Sequence, residues 1–234
     1  GGKNGGTVHA SIERLRIAAD GTLSSGQPYA TIATGGVAEF SVAAAQGGVW
    51  IVGGHNGSTL VDRITRVAID ADGILATDTT SGGTIQARHH HTGFMLGNAF
   101  HIAGGSTSSG TSYATTAVLR ASIVENAATT SFATGGALIY DHRNATSVVI
   151  DNSVRVLGGF NNGGSGSISV SGSSCVIDSA ETGVSCNSGG QMFTIAGSAR
   201  ASAGLAVAGS SIYVLGGSDS TGARPTTVYR LSMQ

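Results

Sequence analysis

Arginine side chains recur at a nearly constant distance before pairs of glycines, and a guanidinium suits two-point recognition of a carboxylate or phosphate. Arg88 and Arg200 have identical spacing to the glycine pairs that follow them, and Arg143 is one position closer to its own pair. The spacing predicts a partial ring of arginines, broken where the same position falls near Val37 and Glu39. Such a ring could bind an anionic group, or it could tie neighbouring repeats together through backbone carbonyls, and we favour the second role.

Histidines surround the same positions. His89, His90 and His91 follow Arg88 directly, and in a strand His89 and His91 would share one face. His55 and His142 are expected on the same side of the protein. Imidazoles suit zinc or copper, but no carboxylate or cysteine is spaced to complete a set of ligands. We therefore assign no metal and no cofactor. The candidate binding residues are Arg88, Arg143, Arg200, His55, Asn56, His89, His91 and His142.

An internal repeat must position these residues. Four apolar strands end in glycine pairs that begin at positions 53, 104, 158 and 216, and a fifth pair begins at position 1. The interval between these five pairs is steady and lengthens slightly toward the end of the chain; we refer to them as the glycine pairs. A short apolar strand and a tight turn precede the strand that ends in each of the last four pairs. A strand of alternating pattern follows about ten residues later, as in Ile64–Ile69. Asp20-Gly21 and Asp72-Gly73 then signal a hairpin turn. This order predicts units of four antiparallel strands.

The order of a hydrophobic strand, Gly-Gly, an exposed strand and Asp-Gly-x-Leu resembles the bacterial form of the kelch repeat. Residues 20–23 and 72–75 carry the last element, although the Trp that usually follows it is missing and the single Trp50 lies in a glycine-pair strand. The resemblance implies an all-β fold, a β-propeller of four-stranded antiparallel kelch-like blades that spans residues 1–234. The blade units fall roughly at 1–30, 31–83, 84–135, 136–190 and 191–234.

Kelch propellers usually have six or seven blades, whereas this sequence supplies about four to five. The resemblance therefore leaves three arrangements open. The chain is part of a larger propeller, or another chain completes its blades, or it closes as a small ring. We rank these arrangements in that order.

Two cysteines fit a hairpin. Cys175 and Cys186 flank an apparent strand, a turn over residues 179–183 and a second strand. They would face each other across the pair, where a disulfide is geometrically feasible, and the alternative is two buried free thiols. A disulfide implies an oxidising compartment, so we expect a secreted or cell-surface protein.

Composition narrows the class of partner. The formal net charge is −1 and only 11% of residues are charged, which argues against nucleic-acid binding. No stretch reaches the roughly 18 to 20 apolar residues of a membrane span. We expect an extracellular binding or structural module, not an enzyme, with a protein or carbohydrate partner at its loop face. The alternatives are a kelch-like enzyme of the oxidase or sugar isomerase type, and a subunit of a larger surface assembly. A copper radical oxidase would need a Tyr–Cys cross-link, against which the cysteine hairpin argues.

Overall fold

A computed structural model of the chain is all-β, which confirms the expected class, and its described residues contain no helix. Within that part of the chain no helix therefore has the length and hydropathy to cross a membrane. The structure describes residues 1–32, 35–69, 75–108, 115–123, 132–150, 153–160, 168, 172–177, 184–186 and 199–232.

The strands are short and follow the repeat. They are β1 (Lys3–Asn4), β2 (Thr7–Val8), β3 (Ser11–Arg14), β4 (Gln27–Thr31), β5 (Ser41–Ala45), β6 (Gly48–Val52), β7 (Arg63–Ile69), β8 (Leu75–Thr84), β9 (Thr92–Leu96), β10 (Ala99–Ala103), β11 (Ala117–Ser122), β12 (Ala133–Ala137), β13 (Thr146–Ile150), β14 (Ser153–Leu157), β15 (Gly172–Ile177), β16 (Val184–Cys186), β17 (Gly204–Ala208), β18 (Ser211–Leu215) and β19 (Tyr229–Ser232).

Consecutive strands pair antiparallel within each repeat, except that β2 does not pair with β3, so the first four strands form two two-stranded sheets. β5–β8 form one four-stranded sheet, and β17–β19 form a three-stranded one. β9–β12 and β13–β16 are two further antiparallel runs, which a short parallel pairing of β12 with β16 joins into one eight-stranded sheet. The first strands of successive repeats, β5, β9, β13 and β17, pack side by side in chain order. We call β1–β4, β5–β8, β9–β12, β13–β16 and β17–β19, with their loops, the first to fifth units.

The apolar core lies between neighbouring units. Trp50 and Ile64 of the second unit pack with Phe100 and Ile102 of the third. Similar clusters join the first unit to the second and the third unit to the fourth. Burying a large apolar side chain stabilises a fold by about 1.5–3 kcal/mol, so each sheet depends on the next one. Aromatic and branched aliphatic side chains supply most of this packing.

The glycine pairs make the backbone contacts between units. In each of the first four pairs, the second glycine donates its N–H to a carbonyl oxygen of the next unit. The bonds are Gly2 to Val37 at 2.8 Å, Gly54 to Arg88 at 2.8 Å, Gly105 to His142 at 2.6 Å and Gly159 to Arg200 at 2.7 Å. The second glycines of the four later pairs, at 54, 105, 159 and 217, have φ between 79° and 90°, which glycine adopts without steric cost.

The cysteine prediction is confirmed. Cys175 of β15 lies opposite Cys186 of β16, and their sulfur atoms are bonded. The turn predicted between them, over residues 179–183, lies outside the described residues, as does Asp72-Gly73. The other Asp-Gly turn is confirmed, because Ile17 pairs with Leu23 and the Thr22 N–H bonds to the Asp20 carboxylate at 2.9 Å.

We expect Gly159→Ala to destabilise the protein more than Gly209→Ala. Both glycines have positive φ, so both substitutions cost about 1 kcal/mol in backbone strain. A Cβ at Gly159 would also lie 2.6 Å from the Arg143 carbonyl oxygen, whereas one at Gly209 meets no atom within 4 Å. Urea unfolding should show an additional loss of about 1–3 kcal/mol for Gly159→Ala. Equal losses would contradict the role given to the pair.

Candidate functional site

A row of three backbone hydrogen bonds links four units at one side of the sheets, and we call the four residues that it joins the ring residues. The ring residues all have the same spacing to the first glycine of the next pair, and they are Glu39, His90, Asn144 and Ser202. The N–H of each bonds to the carbonyl of the preceding one, from His90 to Glu39 at 3.0 Å, Asn144 to His90 at 2.8 Å and Ser202 to Asn144 at 2.7 Å. Equivalent positions in successive units therefore meet.

The ring residues share an unusual conformation. Their φ angles lie between 55° and 58°, in the left-handed region that side chains with a Cβ seldom adopt. The residue before each one forms an antiparallel bridge with the residue after the glycine pair of its own unit. These bridges are Ala38 with His55, His89 with Ser106, Arg143 with Phe160 and Ala201 with Ser218. The ring, its preceding residues and the residues after the pairs thus form one surface.

On this surface three imidazoles contact one carboxylate. The Oε2 atom of Glu39 lies 2.8 Å from His89 Nδ1, 2.9 Å from His90 Nε2 and 3.4 Å from His55 Nε2. The side chains come from two neighbouring units and are 11–30% exposed. Among the described residues, Glu39, His89 and His90 form a group whose ligand atoms all lie within 4.8 Å of one another.

The second nitrogen of two of these imidazoles is bonded to backbone. His89 Nε2 lies 3.1 Å from the Ser108 carbonyl oxygen, so it donates a proton there. His55 Nδ1 accepts the Gly57 N–H at 2.9 Å, which leaves Nε2 as the protonated nitrogen that faces Glu39. The orientation of both rings is therefore fixed by the loops after the glycine pairs.

Burial and charge set the ionisation of the cluster. Desolvation acts to raise the pKa of Glu39, but the His89 hydrogen bond and the three neighbouring imidazoles together lower the pKa below its ordinary value. Burial lowers the pKa of His90 to about 4, although Glu39 opposes this shift. At neutral pH, Glu39 is therefore an anion and His90 a neutral imidazole.

The cluster lines a cavity of about 280 Å³. Lys3 and Arg143 also line this cavity and give it positive charge. The Arg143 guanidinium lies over the Phe160 ring, 4.6 Å from its centre, and partial burial lowers its pKa. Arg143 is half-buried and carries a rigidly placed cation at the cavity wall.

The structure corrects the predicted arginine ring. Arg88 and Arg200 are 0% and 2% exposed, so neither side chain lies in the cavity. Arg88 donates to the carbonyls of Gly104 at 3.0 Å and Ala117 at 3.3 Å, so its role is structural. Both carbonyls belong to its own unit, and the expectation that this arginine ties neighbouring repeats together is wrong for these bonds. Arg143 is not equivalent to Arg88 and Arg200. Arg143 corresponds to His89, because each lies one residue before a ring residue, whereas Arg88 and Arg200 lie two residues before one. This difference of one position brings Arg143 to the surface.

The histidines also divide into two groups. His91 and His142 are buried, and each bonds to a backbone carbonyl, of Val52 at 3.0 Å and of Gly158 at 2.8 Å. Burial is the main cause that lowers the pKa of each, to about 3 for His91. The prediction that His89 and His91 share a face is wrong, because the positive φ of His90 interrupts the extended backbone.

Asn56 shapes the loop beside the cavity. Its Oδ1 accepts hydrogen bonds from the backbone N–H groups of Ser58 at 3.1 Å and Thr59 at 2.9 Å. This short turn holds His55 against the Glu39 carboxylate. The role that the structure gives Asn56 is therefore to order the loop.

Glu39 is the residue that the sequence reasoning passed over. It lies 50 residues from His89, and local spacing does not join residues that far apart into a shared site. One feature of the sequence does point to Glu39: it has the same spacing as His90 to the glycine pair that follows, which predicts equivalent positions in neighbouring units. In comparisons of the sequence with known proteins, no family model and no curated protein matches the chain.

We expect Arg88→Met to cost stability and Arg143→Met to have little effect. Removing the buried guanidinium leaves two carbonyl oxygens without this donor, which costs about 2–3 kcal/mol. Arg143 is partly exposed, so its replacement should change the free energy of unfolding by less than about 1 kcal/mol. Urea unfolding of both variants measures the difference, and similar values would contradict the division into buried and surface arginines.

Proposed function

We propose that this chain is a kelch-type β-propeller that binds a protein or glycan partner outside the cell. The antiparallel runs of three or four strands in the second to fifth units, their packing in chain order and the glycine pairs support the propeller. The disulfide supports an oxidising, extracellular compartment.

The observation that carries the proposal is the cavity beside the Glu39 cluster. Loops of neighbouring units converge there, and Lys3 and Arg143 supply positive charge. An arginine held over an aromatic ring loses little conformational freedom when it binds a carboxylate, and it can bond both oxygens. We therefore expect the bound group to be a carboxylate, carried by an acidic sugar or an acidic peptide side chain.

The enzyme alternatives receive less support. A copper radical oxidase would need a cysteine for the cross-link to tyrosine. Cys175 and Cys186 are bonded to each other and leave no free thiol for it. Binding therefore stays the function that we propose.

Binding should depend on Arg143. We expect an array of acidic and neutral oligosaccharides, together with acidic peptides, to yield a ligand that bears a carboxylate. Arg143→Ala should weaken its binding in calorimetry about 10- to 100-fold, the loss of a charge-assisted hydrogen bond of roughly 1.5–3 kcal/mol. The exposed Arg224→Ala is the matched control and should bind normally. Binding that is confined to neutral ligands, or that survives Arg143→Ala, would refute the proposal.

A subunit of a larger assembly is a second candidate, favoured by apolar exposure in the outer units. Ile17 and Leu23 of the first unit are 74% and 62% exposed, and Val228 of the fifth is 52% exposed. Apolar faces of this kind bind neighbouring units in repeat proteins.

For this candidate we expect the native mass to be a multiple of 23.1 kDa. Ile17→Ser should shift the protein toward the monomer, and Val42→Ser, which removes another exposed apolar side chain, should not. Light scattering after gel filtration makes the measurement. A monomer at all concentrations would remove this candidate.

A further inference from the structure

We propose that Glu39, His89 and His90 bind a divalent first-row transition metal ion, with Zn²⁺ as the expected ion. The inference rests on the proposed function and extends it, because the ion would hold the carboxylate of the partner. Two imidazoles and one carboxylate that leave a coordination position open are a recurrent zinc ligand set. Nitrogen ligands also disfavour calcium and magnesium, which prefer oxygen.

The orientation of His89 is the first argument. Its Nε2 donates to the Ser108 carbonyl, so in the neutral ring Nδ1 carries a lone pair. Nδ1 faces the Glu39 carboxylate oxygen 2.8 Å away, and in the metal-free protein a proton between them forms the hydrogen bond described above. When a metal ion displaces that proton, both atoms offer lone pairs to the ion, and the nearby nitrogen of His90 gives it a third ligand.

The distances are the second argument. Two ligand atoms bound to zinc at about 2.0–2.1 Å in tetrahedral geometry lie about 3.3 Å apart. The Glu39 oxygen lies 2.8 and 2.9 Å from the two imidazole nitrogens, so each pair must separate by only about half an ångström. Side-chain rotations of that size leave the backbone ring in place.

The surroundings are the third argument. Histidines that bind metal usually donate their other N–H to a carbonyl or carboxylate, and ligating carboxylates are themselves hydrogen-bonded. His89 does the first through Ser108. His55 is placed to support the carboxylate, because its Nε2 lies 3.4 Å from the Glu39 Oε2 atom while its Nδ1 accepts the Gly57 N–H. His55 is therefore an outer partner, not a ligand.

The net charge of the metal site explains how the ion would help to bind the carboxylate of the partner. Zn²⁺ with one carboxylate and two neutral imidazoles carries a net positive charge, and its open position faces the cavity that Arg143 lines. A partner carboxylate could bond to the ion through one oxygen and to Arg143 through the other. The ion and the arginine would then select the same chemical group.

The repeat itself offers variants that should fold. Ser202, Ala201 and Asn144 occupy the positions that correspond to Glu39, His89 and His90. We therefore choose Glu39→Ser, His89→Ala and His90→Asn, each a residue that this backbone position already accommodates. Exposed His9→Ala and Glu13→Gln are the matched controls. Thermal melts of the metal-free proteins check that all five variants fold.

Calorimetric titration of the metal-free protein with Zn²⁺ tests the site. We expect one equivalent to bind, and each of the three variants to lose more affinity than the roughly 10- to 100-fold typical of an outer partner. The controls should bind as wild type, and X-ray absorption should show two imidazoles on the ion. Absence of stoichiometric binding, or affinity unchanged in the three variants, would overturn the site.

A chelator separates this inference from the proposed function. If the ion holds the partner, EDTA should weaken binding of the carboxylate ligand at least tenfold and Zn²⁺ should restore it. Ligand binding that is insensitive to EDTA would overturn the role of the ion and leave the proposed function standing. Zinc binding by a protein that binds no carboxylate ligand would leave the metal site standing and refute the proposed function.

Discussion

The hydrogen bond from the second glycine of a pair to a carbonyl of the next unit is the contact on which the arrangement depends. It joins segments that are distant in sequence, from Gly54 to Arg88, Gly105 to His142 and Gly159 to Arg200. The bond requires positive φ and leaves no room for a Cβ. Because it recurs in the first four units, it fixes where the residues that follow each acceptor lie relative to their counterparts.

The surface ring follows from this contact. The second glycine of a pair bonds to the carbonyl two residues before each ring residue. The ring residue then adopts the left-handed conformation and bonds to its counterpart in the preceding unit. The backbone then requires no particular side chain, since Glu39, His90, Asn144 and Ser202 all occupy the position. The side chain at this position, and with it the chemistry it offers, can therefore differ from one unit to the next. Only Glu39 and His90 place a carboxylate beside an imidazole.

Burial separates structural from surface groups among residues of the same type. Arg88 and Arg143 belong to successive units and are chemically identical, yet one bonds to carbonyls in the interior and the other lines the cavity. His91 and His89 differ in their contacts and not in burial, since they are 6% and 8% exposed. His91 bonds to the Val52 carbonyl, whereas His89 contacts Glu39 at the cavity. In each pair the position relative to the ring residue decides. Arg88 lies two residues before a ring residue and Arg143 one residue before, and the positive φ of His90 separates the directions of His89 and His91.

The sequence alone determined the all-β class, the repeat and most of its strands, because these depend on local alternation, turns and spacing. It favoured a disulfide between Cys175 and Cys186 over two free thiols, and the structure shows the bond. It also supported the structural role of Arg88. The tertiary structure alone decided that His91 and His142 are buried, that Arg143 reaches the cavity and that Glu39 meets three histidines. These facts depend on how units pack, and a one-residue difference in register moves a side chain from interior to surface. Hydrogen bonds between distant backbone segments set that register, and residue types do not reveal it.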